Sequence, residues 1–235
     1  MKTSAQRPEP RFSRIAAAMA DPSRALMLAA LLGGEYRSAG ELAAIAGITA
    51  QAASTQLATL LDAALVSVRQ QGRHKYFSLA GSDVAHALEA LSLVAERDNV
   101  SKRWQRPAYA PLKASRRCYG HMAGELGVAQ FEMLMRMGYL EQAEQGLRLS
   151  DAGRAWLAAL GIAAPSTFSA ASSARFAYPC MDWSERRDHL AGALAKLLLS
   201  HYVAKEWLKV QADSRALVLT PLGQLHLTPL FNANK

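Results

Sequence analysis

Cysteine is scarce in this sequence, which has only two in 235 residues. A count this low excludes a disulfide framework and fits a reducing compartment such as the cytoplasm. Long apolar runs are absent as well: no uninterrupted span reaches the length of a membrane helix, and the N-terminal MKTSAQRPEPR lacks the apolar core of a signal peptide. The sequence therefore predicts a cytoplasmic protein without a membrane segment.

Acidic residues are few relative to basic ones, 19 against 27, which gives a formal net charge of +8 at pH 7. A charge of this sign favours an anionic partner, and without a membrane span duplex nucleic acid is the better candidate. No phosphate-binding loop or cofactor motif occurs. The length of the chain is enough for two domains.

The first half of the stretch from 48 to 79 has the pattern of an amphipathic helix. Thr49 suits its N-cap, and apolar residues recur at the spacing of one buried face. The opposite face carries short uncharged hydrogen-bonding side chains, which can reach base edges in a major groove without burying a charge. The predicted base-reading residues are Gln51, Ser54, Thr55, Gln56 and Thr59.

The second half of this stretch alternates apolar and polar residues on either side of Gln71 and Gly72, which predicts a two-stranded hairpin. Four basic side chains surround its tip: Arg69, Arg73, His74 and Lys75. A polar-faced helix followed directly by a basic hairpin is the layout of a winged helix on DNA. In that layout the helix enters the groove and the hairpin lies against phosphates.

At these residues the chain resembles the ArsR/SmtB family of bacterial repressors. ITAQAASTQL at 48–57 and LVSVRQQGRHKYFSL at 65–79 are similar to the family's recognition helix and wing. ADPSR at 20–24 and ELA at 41–43 extend the resemblance, which covers about residues 11–97. It implies a homodimeric winged-helix repressor that leaves operator DNA when an effector arrives. The alternative is a protein-interaction module that no longer binds DNA.

Neighbouring elements complete a predicted winged-helix domain over residues 11–98. Pro22 fits the first turn of a helix, Ser38 can cap the next one, and Gly47 supplies the turn before the polar-faced helix. Residues 82–98 form a further helix with a broad apolar face. The resemblance implies that this face packs against a second copy of the chain, and packing within one subunit is the alternative.

The sequence departs from the family at both places where many members bind metal. No cysteine lies near Glu41, and the helix over 82–98 offers Asp83 and His86 without a second histidine. A tight transition-metal site needs three or four such ligands. The family's usual metal mechanism is therefore not expected here, and His86 is interpreted as an ordinary histidine.

Residues 99–235 are predicted to be an effector-sensing region with two repeats, at about 113–162 and 179–230. HMAGEL at 121–126 is echoed by HLAGAL at 189–194, and LSDAG at 149–153 by LTPLG at 219–223. Each copy is predicted as two helices, a short hairpin and a further helix capped by Ser150 or Thr220. We expect the copies to pack about a pseudo-twofold axis with a groove between them. A duplicated scaffold without a ligand is the alternative.

The predicted fold class is mainly α with small β-hairpins (α+β). A winged helix-turn-helix domain comes first, and a repeated helical, winged-helix-like region follows. Neither copy keeps a polar face comparable to residues 51–59. Base contacts are therefore expected from the first domain alone.

Both cysteines lie in the repeated region, each near a repeated histidine: Cys118 with His121, and Cys180 with His189. The three-residue spacing places Cys118 and His121 on one side of a predicted helix. If the pseudo-twofold axis brings the histidines together, two thiols and two imidazoles form the ligand set of a tetrahedral soft-metal site. Arg116, Arg117 and a helix start would instead favour a redox-active Cys118 thiolate.

Other interpretations of this region stay open. An organic effector could occupy an apolar pocket among its aromatic residues: Trp104, Tyr109, Tyr119, Phe168, Phe176, Tyr178 and Trp183. The basic run over 99–124 could flank DNA or receive an anionic effector. A thiol-dependent enzyme, with Cys118 as nucleophile and His121 or His189 as base, is the competing function, although no third orienting group accompanies the pair. The two cysteines could also be structural.

Overall fold

The computed structural model describes residues 12–95, 109–144, 146–163, 176–211 and 214–232. The chain divides into an N-terminal unit, residues 1–31 and 36–81, and a C-terminal unit, residues 32–35 and 82–235. The predicted domain boundary at 98 and 99 lies outside the described residues, and the helix before it belongs to the C-terminal unit. Within the described ranges, no helix is both long enough and apolar enough to cross a membrane.

The N-terminal unit starts with α1 (Phe12–Met19), α2 (Pro22–Leu31), α3 (Ala39–Ala46) and α4 (Ala50–Asp62). Pro22 occupies the first turn of α2, where its missing N–H costs nothing. The Ser38 side chain accepts a hydrogen bond from the Glu41 N–H, and the Glu41 carboxylate accepts one from the Ser38 N–H in return. Gly47 ends α3 with a φ of 65°, and Thr49 caps α4. The local signals predicted from the sequence are confirmed.

The hairpin follows α4, as predicted. Strand β2 (Val66–Gln71) pairs antiparallel with β3 (His74–Leu79), and Gly72 and Arg73 connect them. A short strand, β1 (Arg37–Ser38), pairs with the other side of β3, so the sheet order is β1-β3-β2. The apolar side chains Phe77 and Leu79 are buried, whereas the basic side chains near the tip are exposed. The winged helix-turn-helix fold is confirmed for this unit.

One core holds the helices and the hairpin of the N-terminal unit together. Its largest buried side chains are Met27, Leu28, Leu31, Leu42, Leu57 and Leu60. Burying one such side chain contributes about 1.5–3 kcal/mol, and a cap contributes about 1 kcal/mol. Packing is therefore the larger of the two effects that fix α4, and it turns the polar face of α4 outward.

The C-terminal unit contains α5 (Ser82–Ala95) and α6 (Ala110–Ala114), followed by two copies of one motif. The first copy comprises β4 (Arg116–Cys118), β5 (His121–Ala123), α7 (Glu125–Arg136), β6 (Leu140–Gln142), β7 (Leu147–Leu149) and α8 (Asp151–Ala159). The second comprises β8 (Tyr178–Met181), β9 (Asp188–Ala191), α9 (Ala193–Ala204), β10 (Leu208–Val210), β11 (Leu217–Leu219) and α10 (Pro221–Asn232). Both copies thus run hairpin, helix, hairpin, helix.

The first element of each copy is a hairpin, so the predicted helix there is wrong. In the first copy Cys118 pairs directly with His121 across the two strands. Tyr119 and Gly120 connect these strands with φ values of 48° and 86°, the backbone that the tightest hairpin turns require. A spacing of three residues brings side chains together across such a turn as well as along a helix, and the sequence pattern does not distinguish the two.

The two copies pack reciprocally around one core. Strand β5 of the first copy lies against α9 of the second, and β9 of the second lies against α7 of the first. Gln130 on α7 also donates a hydrogen bond of 2.8 Å to the Tyr202 hydroxyl on α9. Buried side chains of both copies, Leu134 and Leu198 among them, form one continuous cluster. The predicted groove between the copies is therefore wrong for the described residues, because apolar side chains from both sides fill that interface.

The last helix of each copy begins at an equivalent cap. The Ser150 hydroxyl accepts from the Gly153 N–H at 2.9 Å, and the Thr220 hydroxyl accepts from the Gly223 N–H at 2.9 Å. Both caps were predicted, and both are confirmed.

Candidate functional site

The polar face of α4 lies on the outside of the N-terminal unit. Gln51, Ser54 and Thr55 are exposed, whereas the apolar side chains on the opposite face are buried. The Ser54 and Thr55 hydroxyls donate to carbonyls one turn earlier, at 2.9 Å and 3.4 Å. A hydroxyl that donates to its own helix keeps its oxygen lone pairs for a donor from outside.

Two of the predicted base-reading residues are instead engaged within the unit. The half-buried Gln56 accepts a hydrogen bond from the Arg24 guanidinium, which also donates to the Ala18 carbonyl at 2.5 Å. Thr59 is half-buried beside α1, next to Arg14 and Ala18. The outward polar face is therefore narrower than predicted and consists of Gln51, Ser54 and Thr55. The sequence analysis did not identify Arg24 as a positioning residue, because nothing in its sequence context indicates which side chain it contacts.

The predicted basic residues of the hairpin are exposed. Arg69 lies on β2, Arg73 is in the connection at the tip, and His74 and Lys75 lie on β3. Since α4 packs against β2, the helix and the hairpin hold a fixed relation to each other. The N-terminal unit therefore offers hydrogen-bonding groups on one element and cations on the next.

In the C-terminal unit, the hairpins β4–β5 and β8–β9 bring the four predicted sensing residues together. The Nε2 atoms of His121 and His189 are 2.9 Å apart. The nearest nitrogen and sulfur atoms of these histidines, Cys118 and Cys180 all lie within 4.8 Å of one another. All four side chains are buried, with exposed fractions between 0% and 7%. We name this group the Cys2His2 cluster; each copy of the repeat provides one cysteine and one histidine.

A buried carboxylate that the sequence analysis missed lies directly behind the Cys2His2 cluster. Asp182 Oδ2 is 3.1 Å from His189 Nδ1 and accepts a 2.7 Å hydrogen bond from the Gly124 N–H. Its Oδ1 accepts from the Arg116 guanidinium at 2.8 Å, and both Asp182 and Arg116 are 0% exposed. The length of the connection after Cys180 could have indicated this residue. Two residues connect the strands of the first copy's hairpin, whereas a longer connection that contains Asp182 joins the strands of the second.

Arg116 also faces α5. Its Nη2 is 3.9 Å from Oε2 of Glu89, a buried carboxylate on α5, and Arg215 donates to Glu89 Oε1 at 2.7 Å. Arg117 forms an ion pair with Glu35. Arg116 and Arg117, two arginines of the basic run, therefore pair with acidic groups inside the protein. The alternative of a DNA-flanking or anion-receiving surface does not include their side chains. Residues 99–108 of that run lie outside the described residues.

Burial and the Asp182 carboxylate determine the protonation of the cluster. A hydrogen bond with Cys180 and burial raise the pKa of the Cys118 thiol to about 12. Burial lowers the pKa of His121. Burial alone would lower the pKa of His189 too, but the Asp182 hydrogen bond and the contact with Cys118 raise it to about 9. These shifts favour the protonated form of His189 and the neutral form of His121, and the tautomers decide which Nε2 donates across the 2.9 Å contact.

These properties bear on the alternative of a redox-active Cys118 thiolate. A helix start was expected to favour its thiolate, but Cys118 lies in a strand and its pKa is raised. The thiol therefore stays protonated near neutral pH. Cys118, the nucleophile of the alternative thiol enzyme, is therefore a protonated thiol and is 1% exposed.

A cavity of about 350 Å³ lies between α5 and β8, and His86, Glu89, Tyr178 and Cys180 are among the residues that line it. The Tyr178 hydroxyl is 3.4 Å from His86 Nε2. Among the described aromatic residues that were predicted to share a pocket, Tyr178 alone lines this cavity. Phe176 belongs to the core, Trp183 packs against the Arg116 guanidinium and Tyr119 against Lys196, while Trp104 and Phe168 lie outside the described residues.

The sequence of residues 19–69 matches the family described as "Helix-turn-helix domain". The chain is 35% identical over 216 residues to the uncharacterized HTH-type transcriptional regulator YdfF of Bacillus subtilis, a match that spans 92% of this chain and 95% of YdfF. It is 39% identical over 83 residues to the HTH-type transcriptional regulator CmtR of Mycobacterium tuberculosis, spanning 35% of this chain and 70% of CmtR. Among solved structures, NolR from Sinorhizobium fredii aligns with a TM-score of 0.33 and 34% identity over 35% of this chain and 82% of NolR. The likeness to YdfF thus includes the C-terminal unit as well as the helix-turn-helix.

Proposed function

Because this chain belongs to the ArsR/SmtB-like family of HTH-type transcriptional regulators, we propose that it represses transcription as a homodimer that binds operator DNA. A signal that acts on the C-terminal unit would release it. The observation that carries the proposal is the outward polar face of α4, followed by a hairpin whose basic side chains are exposed. Because its proposed partner is DNA, we infer that the protein works in the cytoplasm.

In the proposed complex α4 enters the major groove. The hydroxyls of Ser54 and Thr55 already donate to their own helix, so they serve as acceptors toward the amino groups of cytosine or adenine. Gln51, with both donor and acceptor atoms, can form two hydrogen bonds to the major-groove edge of one adenine. Arg73 and Lys75 on the hairpin contact phosphates, which hold the helix in register without reading sequence.

The dimer interface is assigned to α5. Leu91 and Val94 on this helix are 47% and 56% exposed, although two large apolar side chains on one helix face favour a packed environment. If a twofold axis relates two copies, the apolar patch of Leu91 and Val94 on each copy would cover the same patch on the other. The two α4 helices would then meet successive turns of the major groove, about 34 Å apart.

The first prediction concerns base contacts. We expect Ser54→Ala and Thr55→Ala to weaken binding to the specific operator by about 1–3 kcal/mol per lost contact, while binding to random duplex stays nearly constant. Fluorescence anisotropy with operator and random DNA at one salt concentration measures the ratio. Thr59→Ala is the matched control, because Thr59 lies on the same helix but beside α1. Equal losses on both DNAs would remove α4 from base recognition.

The second prediction concerns the hairpin. Arg73→Ala and Lys75→Ala should weaken binding to every DNA sequence, and each should reduce the slope of log K against log salt by about 0.9 per lost phosphate contact. The control is Lys209→Ala, an exposed lysine of the C-terminal unit. If the salt slopes of Arg73→Ala and Lys75→Ala equal that of Lys209→Ala, the hairpin points away from DNA.

The proposal as a whole is tested by a mobility shift of the full chain on the DNA upstream of its own gene, with unlabelled random duplex as competitor. We expect a complex that the competitor does not dissolve, containing two chains per site. Binding that competes equally with random DNA would favour the protein-interaction module instead.

A further inference from the structure

We propose that the Cys2His2 cluster binds one divalent metal ion of the zinc class in a closed tetrahedral site that joins the two copies of the repeat. Cys118 and His121 come from one copy, and Cys180 and His189 from the other. The metal-binding step is independent of the proposed function. Its consequence for DNA rests on that function.

The distances between the four ligand atoms need only a small adjustment to form such a site. Ligand atoms of a tetrahedral zinc site with bonds of about 2.0–2.3 Å stand roughly 3.3–3.8 Å apart. The four ligand atoms here already lie within 4.8 Å of one another, and the two histidine Nε2 atoms are 2.9 Å apart. Movements of about 1 Å therefore complete the tetrahedron. With four protein ligands and burial on all sides, no position remains for a catalytic water.

Charge favours a divalent ion. Binding requires each thiol to lose its proton, and the hydrogen between the two histidine Nε2 atoms must leave as well. The two thiolates then neutralise a dication inside the protein. A monovalent ion would leave a net negative charge in a site whose four ligands are buried, which is costly without a further partner. Mg²⁺ and Ca²⁺ prefer oxygen ligands and higher coordination numbers. Thiolate and imidazole together therefore select a borderline-soft dication such as Zn²⁺.

Asp182 acts as a positioning residue for this site. It holds His189 Nδ1 at 3.1 Å, so that Nε2, the other ring nitrogen, points at the cluster. A carboxylate behind a metal-binding histidine fixes the ring and makes it a better ligand. Asp182 is itself fixed by Arg116 and by the Gly124 N–H, which begins the connection to α7.

A physical connection runs from the cluster to α5 within the C-terminal unit. Cys180 lines the same cavity as His86 and Glu89 of α5, and Glu89 pairs with Arg116 on β4. Moving Cys180 onto a metal therefore changes the packing of β8 against α5. If α5 forms the dimer, as proposed above, metal binding alters the spacing of the two α4 helices and lowers operator affinity.

The test of the site uses the reduced full chain, stripped of metal by a chelator and titrated with Co²⁺ in the absence of oxygen. We expect one equivalent of Co²⁺ per chain, with a thiolate-to-metal absorption band and the intense visible bands of tetrahedral cobalt. Because the chain has only two cysteines, a band from two thiolates assigns both ligands in the unmodified protein. Zn²⁺ should displace the cobalt, since it binds such sites more tightly.

Variants separate ligands from neighbours. Cys118→Ser, Cys180→Ser and His189→Gln should abolish the tetrahedral spectrum, whereas His86→Ala, a histidine on the same cavity, should leave it intact. Asp182→Asn should keep the spectrum at saturation but weaken metal binding about 10- to 100-fold. Zn²⁺ should raise the melting temperature of the wild type and not of the cysteine variants. No cobalt spectrum in the unmodified reduced chain, or a Cys118–Cys180 disulfide as the only response, would overturn the site.

Operator binding with and without Zn²⁺ then tests the consequence for DNA. We expect Zn²⁺ to lower operator affinity about 5- to 150-fold in the wild type and not at all in the Cys118→Ser, Cys180→Ser double variant. An unchanged wild-type affinity would overturn the coupling while the cobalt titration still decides the site. A chain that binds cobalt but no operator would overturn the proposed function and not the metal site.

Discussion

The Arg116→Met variant is expected to unfold its C-terminal unit with a free energy about 3–5 kcal/mol lower than that of the wild type. Arg116 is fully buried and is the guanidinium partner of Asp182, with Glu89 nearby. Methionine matches much of its volume but takes the guanidinium charge away from Asp182 and Glu89, which keep His189 and Arg215 as partners, and buried carboxylates with less compensation are costly. Urea unfolding, followed by the fluorescence of the tryptophans, measures the loss.

Arg187→Met is the matched control. Arg187 pairs with Glu132 at 2.7 Å, but both side chains are about half exposed, so its loss should cost less than about 1 kcal/mol. Adding Asp182→Asn to Arg116→Met should recover part of the stability, because the buried carboxylate that lost its guanidinium partner is removed. Equal effects of Arg116→Met and Arg187→Met would mean that water reaches the Asp182 pair.

Gly223→Ala and Gly153→Ala are the second pair of changes with a large expected effect. A Cβ at Gly223 would stand 2.0 Å from the Trp207 carbonyl oxygen, and one at Gly153 would stand 2.2 Å from that of Tyr139. The obstructing atom is backbone in both cases, so it cannot turn aside like a side chain. Each change should lower the free energy of unfolding by about 3 kcal/mol, the upper end of the usual overpacking cost.

Gly40→Ala controls for the intrinsic effect of the substitution. Its nearest neighbour is Ser38 Oγ at 4.0 Å, so the added methyl meets no obstacle. In a helix this change should stabilise by up to about 1 kcal/mol, because alanine loses less conformational entropy. The melting temperatures of the three variants give the comparison. Gly153→Ala and Gly223→Ala variants as stable as wild type would mean that the repeat hairpins shift freely.

The helices and strands of the N-terminal unit could be predicted because their ends depend on local chemistry. Ser38, Gly47 and Thr49 act on backbone groups within a few residues, and the alternation around Gly72 has one plausible pairing. The narrowing of the polar face could not be foreseen. It depends on Arg24, which reaches Gln56 from a different helix, and a contact over 32 residues leaves no periodic signal.

The Cys2His2 cluster shows the opposite case: the residues were identified, but their local structure was not. A gap of three residues suits a helix face and a two-residue turn equally. The turn forms because Tyr119 adopts a positive φ, which is unusual for a residue with a side chain and has no sequence signature. Asp182 was missed for a different reason, since its role comes from the fold of the second copy around His189.

The reciprocal packing of the two copies has a consequence for how the C-terminal unit comes apart. The first hairpin of each copy lies on the first helix of the other copy, so neither copy encloses its own core. A break in the chain between 163 and 176 would therefore yield two fragments that complement each other, as separately expressed halves of one protein do. Neither copy of the repeat should hold its structure alone, and mixing the two fragments should restore both the fold of the C-terminal unit and the cobalt spectrum in a single concentration-dependent step.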